Sequence, residues 1–508
     1  MEFLQSFSFP SLLTIFLFFL SVIFFLKQKK LKRTKLPPGP WKLPLIGSLH
    51  HLKGATHRTL RNLAQKHGPI MHLQLGEIST VVIATADLAQ EVLKTHDMLF
   101  LDRPQSNSRK VVCYDWKDLA FAPYGEYWRE LRKICSLQLL SSKRVKSFQS
   151  LREEEVSKLI GKISSMAGSP FNVSEGVFST TNDVTTSAAF GKKCKDKETF
   201  IAATRAIVEL GRGGLQVFDL FPSFEVLSVI IGLKQKLEKL HRIHDKVLDD
   251  IIKEHMENKG KFANERSGEF EEDLVDVLLS LQEGNESEMP IKRDNIKAVI
   301  LDIFIAGAET SSATADWAMV EMMRNQRVMN KAQTEVRKAL KGKTTFHEAD
   351  IQELTYLKSV IKETLRLHPP LPLLLPRKCR EACEIGGYVI PKGTQVIINA
   401  WAIGRDQNTW TDAESFVPER FDGNTAEFNG NNFGFIPFGA GRRRCPGILF
   451  GIANIELMLA NLLFHFDWEL PHGIKPEEVD MKESVGASIR RENNLYLIPT
   501  PYCPSLEK

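Results

Sequence analysis

The spacing of apolar and polar positions divides the chain into four stretches. From Phe7 to Leu26 twenty residues pass without a charge, and fifteen of them are Phe, Leu, Ile or Val. As a helix rising 1.5 Å per residue they span a bilayer core of about 30 Å. Between Thr59 and Ser147 short β-type runs, Ile70 to Leu75 and Ser79 to Ala84, alternate with amphipathic helical stretches, and from Leu151 to Leu340 the pattern is almost wholly helical. Within it, Asp294 to Asn325 predicts a single helix of 32 residues, about 48 Å long. From Cys383 to Ala400 the period turns to strands, with Gly386-Gly387 and Pro391-Lys392-Gly393 as turn signals. The chain is therefore expected to be mainly α with a smaller β region, an α+β arrangement carrying an N-terminal transmembrane helix. With no internal repeat or second linker, the organisation reads as a membrane anchor (1–26), a basic and proline-rich hinge (27–40) and one large domain (41–508).

Composition sharpens this picture. The 508 residues are 43% hydrophobic and 25% charged, the balance of a globular protein with a large core. Net charge is +5, from 67 Lys+Arg against 62 Asp+Glu, and six of those bases lie between Lys27 and Lys35. The remainder is nearly neutral, so a nucleic-acid-binding surface is not indicated. The basic cluster follows the apolar run, and only Glu2 precedes it, the reverse of a cleaved signal peptide. The positive-inside rule then makes the run a retained single-pass anchor and leaves everything after Lys27 in the cytosol. The sequons at Asn172 and Asn285 are accordingly expected to stay unmodified. Pro37-Pro38-Gly39-Pro40 makes a stiff connector between anchor and domain. Seven scattered cysteines do not make a disulfide framework, and reduced thiols are expected.

One cysteine stands in an unusual setting. In FIPFGAGRRRCPGILFG, Phe435 to Gly451, Cys445 sits in a glycine- and arginine-rich loop directly before an apolar helix. Arg442, Arg443, Arg444 and the amino end of the helix all favour a thiolate, which is a ligand for iron. Gly439, Gly441 and Gly447 let the backbone approach a flat ligand, and Phe438 offers an aromatic edge to shield the sulfur.

This loop resembles the haem-binding loop of the cytochrome P-450 monooxygenases, F-x-x-G-x-R-x-C-x-G, matched by Phe438, Gly441, Arg443, Cys445 and Gly447. The resemblance implies the cytochrome P-450 fold, haem b (iron protoporphyrin IX), Cys445 as axial iron ligand and Arg443 as partner of a haem propionate. Thiolate ligation favours O–O cleavage. The other landmarks of the family follow in order. Ala306-Gly307-Ala308-Glu309-Thr310-Ser311 resembles the oxygen-activation motif: Ala306 and Gly307 leave room beside the haem, and Glu309 and Thr310 form a proton-delivery pair. Glu363 and Arg366 in KETLRLHPP, with Arg420 in Pro418-Glu419-Arg420-Phe421, resemble the Glu-Arg-Arg network that locks the fold. Trp128 and Arg132 match the family's W-x-x-x-R propionate partners, and Arg377 matches another. Burying two propionates without cations is costly, so a cationic cradle is required. Small departures are Gln326 and Gln407, where related plant sequences have proline, and Arg444, which replaces an aliphatic residue.

The likeness is strongest to the plant branch that hydroxylates terpenoids, such as limonene and sesquiterpenes, and monoterpene indole alkaloids. It implies insertion of one oxygen atom from O2 into a hydrophobic small molecule at the endoplasmic reticulum membrane. The segments expected to line the pocket, Val111 to Phe121, Gly213 to Phe224, Ile303 to Thr310, Leu371 to Leu375 and Val485 to Ser488, are chiefly apolar, which fits such a substrate. Phe221 to Leu233 is read as core. No G-x-G-x-x-G element follows a strand and opens a helix, so electrons must come from elsewhere. The resemblance supplies an NADPH-dependent cytochrome P-450 reductase, with cytochrome b5 as a further carrier, and exposed bases such as Lys133, Arg144 or Arg442 would serve the docking. Three alternatives stand beside this: a hydroperoxide isomerase or dehydratase of the same fold, a non-enzymatic haem sensor, and a zinc protein built on Cys379 and Cys383. Intact Glu309-Thr310 speaks against the first, and the lack of a nearby second Cys/His pair against the last.

Overall fold

The computed structural model describes residues 35–191, 196–212, 219–224, 229–262, 272–284, 290–423, 427–471, 473–484, 486 and 488–502. The anchor, most of the hinge, Asn285 and parts of the Gly213 to Phe224 and Val485 to Ser488 segments lie outside them.

Helix α1 (Thr56–His67) stops at Gly68, whose φ of 109° no L side chain favours. It leads into the hairpin of β1 (Ile70–Leu75) and β2 (Ile78–Ile83), where Leu75 faces Ile78 across a two-residue turn. The helical half contains α2 (Glu126–Ile134), α3 (Gln149–Ser164), the short strand β3 (Phe171–Asn172), α4 (Val173–Phe190), α5 (Leu233–Phe262) and α6 (Leu274–Glu283). Asn172 caps α4, accepting the Glu175 N–H at 3.0 Å. After these come α7 (Arg293–Arg324), α8 (Gln326–Ala339) and α9 (Thr355–Leu367). The 32 residues of α7 coincide with the predicted long helix, displaced by one position. Its residues 296–301 and 311–323 are buried almost without exception, so it runs through the interior as an all-round apolar rod.

The strands then return. β4 (Arg377–Lys378) precedes the predicted strand region, and β5 (Cys383–Ile385), β6 (Tyr388–Ile390) and β7 (Gln395–Ile398) fall within it. β5 and β6 turn on Gly386 and Gly387, with φ of 55° and 77°, the conformation a two-residue hairpin needs. β7 lies parallel to β2, pairing Thr80 with Gln395 through to Ile83 with Ile398, and closes a four-stranded sheet in the order β1-β2-β7-β4. Apolar helix α10 (Ile448–His465) follows the cysteine loop. β8 (Phe466–Glu469) and β9 (Tyr496–Pro501) join β3 in a second sheet. The fold is mainly α with a smaller β part, as the sequence pattern implies.

Two buried networks brace this frame. Glu363 takes Arg366 Nε at 2.6 Å, Arg366 Nη2 at 2.8 Å, Arg420 Nε at 2.9 Å and the Val417 N–H at 2.8 Å. Arg366 also donates to the carbonyls of Gly404, Ala413 and Ser415. The sequence trio is thus one connected cluster. One turn on, His368 stacks on Trp317, with centroids 4.1 Å apart, and bonds Glu321 at 2.7 Å.

One expectation is overturned. In the Phe221 to Leu233 stretch Phe224, Val229, Ile230 and Ile231 are exposed, Ile230 by 71%. Apolar spacing alone does not distinguish a core helix from an apolar surface segment, and here the surface holds these four described residues.

Candidate functional site

The cysteine loop is shaped by its backbone. The Cys445 N–H donates to the Phe438 carbonyl at 3.0 Å, folding the loop back on itself, while the thiol is half-buried just before α10. Burial pushes the thiol up. The Gly447 N–H, Arg132 and Arg444 pull the other way. Of the three adjacent arginines expected to favour a thiolate, Arg444 pulls the thiol down. Arg442 bonds Asp97 at 3.0 Å, and Arg443 turns inward.

The glycines divide by role. A Cβ on Gly439 would meet only Leu374 Cδ1 at 3.8 Å, and one on Gly447 only Cys445 Sγ at 4.0 Å, so both leave an open face for a flat ligand. Gly441 does not. At φ of 71° its Cβ would sit 2.3 Å from the Leu93 carbonyl oxygen and 2.8 Å from Asp97 Oδ1, so it packs the loop onto the preceding segment. Phe438 is half-buried and meets Phe428 edge to face at 5.1 Å.

The cations gather as a cradle. Arg443 donates to the carbonyls of Leu101, Leu119 and Ala122, at 3.0, 3.4 and 2.6 Å, and lies over the Trp128 ring at 4.2 Å. Trp128 sends its own Nε1–H to Leu119 O at 3.0 Å. Arg377 reaches the carbonyls of Phe100 and Ala440, with Asp97 3.8 Å away. Arg132, four residues beyond Trp128, is half-buried on α2. Sequence reasoning missed Arg103, which is buried and donates to Ala120, Leu375 and Pro376 carbonyls. No motif flags it, and its neighbours Asp102, Pro104, Gln105 and Ser106 make it look like an ordinary polar loop position. Burial pushes the pKa of Arg103, Arg377 and Arg443 down, and Arg377 adds to the effect on the other two. Among the described residues neither Arg103 nor Arg443 forms an ion pair. A buried positive cluster held chiefly by carbonyls, with Asp97 beside Arg377 as an acid partner, fits a dianionic ligand. Together with a half-buried thiol, the donor set suits haem.

Helix α7 supplies the other wall. Buried on either side, it opens between Asp302 and Thr310, with Ala306 exposed in the middle of the protein. Thr310 Oγ1 donates to the Ala306 carbonyl at 2.7 Å. Glu309 does not meet that hydroxyl in the described contacts: its Oε1 takes Ser488 Oγ and Arg490 Nε, each at 3.0 Å. Gly307 also differs from expectation. Its missing Cβ faces Thr185 at 3.4 Å and Phe450 at 3.6 Å, so it allows close packing of α4 and α10 rather than space for a ligand. Through Gly307 against Phe450, and Ser311 Oγ 3.5 Å from where a Gly451 Cβ would stand, the acid-threonine motif and the cysteine loop are packed together.

The remaining candidates separate. Lys133, Arg144 and Arg442 each pair with an acid, Glu130, Glu272 and Asp97. The sulfurs of Cys379 and Cys383 stand 4.0 Å apart. Among the described residues the only grouping of three or more metal-ligating side chains is His255, Asp273 and Asp276, where the acids form the capping box of α6.

Comparison with known proteins gives a consistent result. Residues 37–498 match the sequence family described as Cytochrome P450. The chain is 55% identical over 502 residues to desmethyl-deoxy-podophyllotoxin synthase of Sinopodophyllum hexandrum, covering 98% of both chains. It is 52% identical to premnaspirodiene oxygenase of Hyoscyamus muticus, with 98% of this chain and 100% of that one covered. To 5-epiaristolochene 1,3-dihydroxylase of Nicotiana tabacum it is 50% identical, again over 98% and 100%. In architecture it resembles a zebra fish cytochrome P450 solved with progesterone, at a TM-score of 0.74 and 24% identity, covering 88% of this chain and 100% of that chain.

Proposed function

Because this chain belongs to the cytochrome P450 family, an oxygen-incorporating oxidoreductase that needs haem, a small hydrophobic substrate and an electron-transfer partner, we propose that it is a membrane-anchored monooxygenase adding one oxygen atom to a terpenoid. The observation that carries the reading is the packing of Gly307 and Ser311, on either side of Glu309-Thr310 in α7, against Phe450 and Gly451 of α10, five and six residues beyond Cys445. Relatives named premnaspirodiene oxygenase and 5-epiaristolochene 1,3-dihydroxylase support the substrate class. The relative named for desmethyl-deoxy-podophyllotoxin supports a second reading, a substrate of that compound's class.

In this reading Cys445 would hold the iron of haem b as a thiolate, and Arg103, Arg377, Arg443, Trp128 and Arg132 would hold the propionates. Haem, when bound, supplies the activation of dioxygen. The protein's part is positional. Thr310 keeps a hydroxyl proton at the open stretch of α7, bonded to Ala306 O. Glu309 holds an acid beside it, anchored by Ser488 and Arg490. The apolar side chains near Ala306 exclude water and leave a lipophilic substrate few polar anchors. Electrons come from a separate NADPH-cytochrome P-450 reductase, with cytochrome b5 as a further carrier. The catalytic domain, 41–508, faces the cytosol on a single anchor (1–26) and a hinge (27–40) at the endoplasmic reticulum. The exposed Val229, Ile230 and Ile231 are suited to the same lipid surface.

The test is co-expression with a plant reductase and supply of NADPH, screening terpenes by mass for the gain of one oxygen. Product without NADPH would favour the hydroperoxide rearranging alternative. Thr310→Ala with unchanged coupling of NADPH use to product would remove Thr310 from the oxygen machinery.

A further inference from the structure

Cys379 and Cys383 flank a bend between two strands, and neither the cradle nor the cysteine loop uses them. Cys379 follows β4 directly, and Cys383 opens β5. Their sulfurs are 4.0 Å apart, and two thiols alone do not complete a zinc site. Cys379 is fixed by its backbone: its N–H donates to the Thr394 carbonyl at 2.8 Å, and its carbonyl accepts the Gly393 N–H at 2.7 Å. Its S–H points to the Glu381 carbonyl at 2.8 Å. The bend between the two, Arg380 to Ala382, belongs to no strand or helix, and Glu381 and Ala382 are exposed. A disulfide needs its sulfurs about 2.0 Å apart, and a bend outside the ladders can supply that approach. Cys379 is buried at 1% exposure, whereas Cys383 is half-buried, so a solute from the solvent meets Cys383 first.

We propose that Cys379 and Cys383 are a reversible redox modification site, closed to a disulfide by hydrogen peroxide and reopened by a thiol reductant. The Cys383 thiolate attacks one peroxide oxygen; the O–O bond breaks, one water leaves and Cys383 becomes a sulfenic acid. The Cys379 sulfur then attacks that sulfur: the S–S bond forms, the S–O bond breaks, and the second water leaves with the thiol proton. In all, two thiols lose two electrons and two protons, and the peroxide gains both and leaves as two waters. Burial pushes both thiols up, Cys379 to about 12, while the S–H of Cys379 pulls Cys383 the other way. That leaves Cys383 the easier to ionise. The new bond ties β5 to the end of β4, two residues beyond Arg377 of the cradle. Only the source of the oxidant rests on the monooxygenase reading: two electrons passed to dioxygen without transfer to substrate leave it as hydrogen peroxide.

The test treats the full-length holoenzyme with hydrogen peroxide, removes the excess with catalase, alkylates the remaining thiols after denaturation and digests with trypsin without reductant. Trypsin cuts after Arg380, between the two cysteines. The closed pair is therefore expected as two peptides joined through sulfur and separated by dithiothreitol, while the buried Cys113 and Cys135 are alkylated. In Cys383→Ala, Cys379 is expected to stay open to alkylation; in Cys379→Ser, Cys383 is expected to stop at the sulfenic acid, trapped by a cyclic diketone. Full alkylation of both cysteines in the peroxide-treated wild type, or equally fast joining in the urea-unfolded chain, overturns the proposal. So does loss of the Cys379 thiol in Cys383→Ala at the wild-type rate, a result that reads even where Cys379→Ser fails to fold. With reductase and NADPH in place of added peroxide, and no substrate, the same joined peptides are expected. Their absence there, beside joining by added peroxide, counts against the monooxygenase reading and leaves the pair standing.

Discussion

The guanidinium of Arg443 lies 4.2 Å from the Trp128 ring centre, and both side chains donate to the same carbonyl, that of Leu119. Each therefore fixes the other's position in the cradle. A double-mutant cycle with Arg443→Met and Trp128→Phe should give a coupling energy of about 1–2 kcal/mol, the range of a desolvated cation–π contact. Additive losses of thermal stability would show that the two act independently. Both single variants should also release haem more readily, read as the haem-to-protein ratio after gel filtration.

Cys445→Ser should abolish the red-shifted Soret band of the reduced, carbon monoxide-treated protein and reduce turnover to background. Serine keeps the backbone bond from residue 445 to Phe438 O but offers no thiolate, so the fold should survive. A retained band would remove Cys445 as the iron ligand.

The Glu363 carboxylate is fully buried and holds two guanidinium groups at once. Glu363→Gln should cost about 3–5 kcal/mol, the usual loss when one partner of a buried pair is removed. The variant is expected to appear mainly as insoluble, haem-free protein. Normal expression and haem content would contradict a locking role.

Local signals in the chain were readable, and pairings between distant segments were not. The long helix, the hairpin at Ile70 to Ile83 and the β5–β6 turn on Gly386-Gly387 follow from periodicity and turn chemistry, which act over a few residues. The parallel pairing of β2 with β7 joins Thr80 to Gln395, and no spacing rule reaches that far. The site divides the same way. Cys445, Trp128, Arg132, Arg377 and Arg443 were singled out by motif spacing. Arg103 was not, because its partners are backbone carbonyls supplied by remote segments. Gly307 and Gly441 were assigned to ligand access from composition, although packing neighbours alone decide what a missing Cβ makes room for.

Acid stability should depend on Glu483. Its carboxylate is buried, which raises its pKa, but bonds from His57 at 3.0 Å and Arg58 at 2.9 Å outweigh this and hold it down at about 2. A depressed carboxyl contributes stability in full above its unfolded value, near pH 4.3, and loses it as pH falls toward 2. The contribution is of order 3 kcal/mol. Glu483→Gln should therefore be less stable than wild type at pH 7, with the gap closing between about pH 4.3 and 2. A constant gap across that window would mean that the charge is not responsible.

The two glycines make a final contrast. Ala at 307 gains helix propensity, about 1 kcal/mol over Gly. Its Cβ meets Thr185 Cγ2 at 3.4 Å, a contact that a side-chain methyl can relax. Gly307→Ala should therefore leave the melting temperature within a few degrees of wild type, and product formation should persist, since the new methyl points at α4 and α10. Ala at 441 has no such relief: the backbone is left-handed and the Leu93 carbonyl oxygen lies 2.3 Å from the new atom. Strain and overpacking together should cost about 2–4 kcal/mol and loosen the loop that carries Cys445, lowering haem content along with stability. If Gly307→Ala instead abolished oxygenation at normal haem content, the methyl would have to reach the ligand space, and the packing role assigned to Gly307 would be wrong.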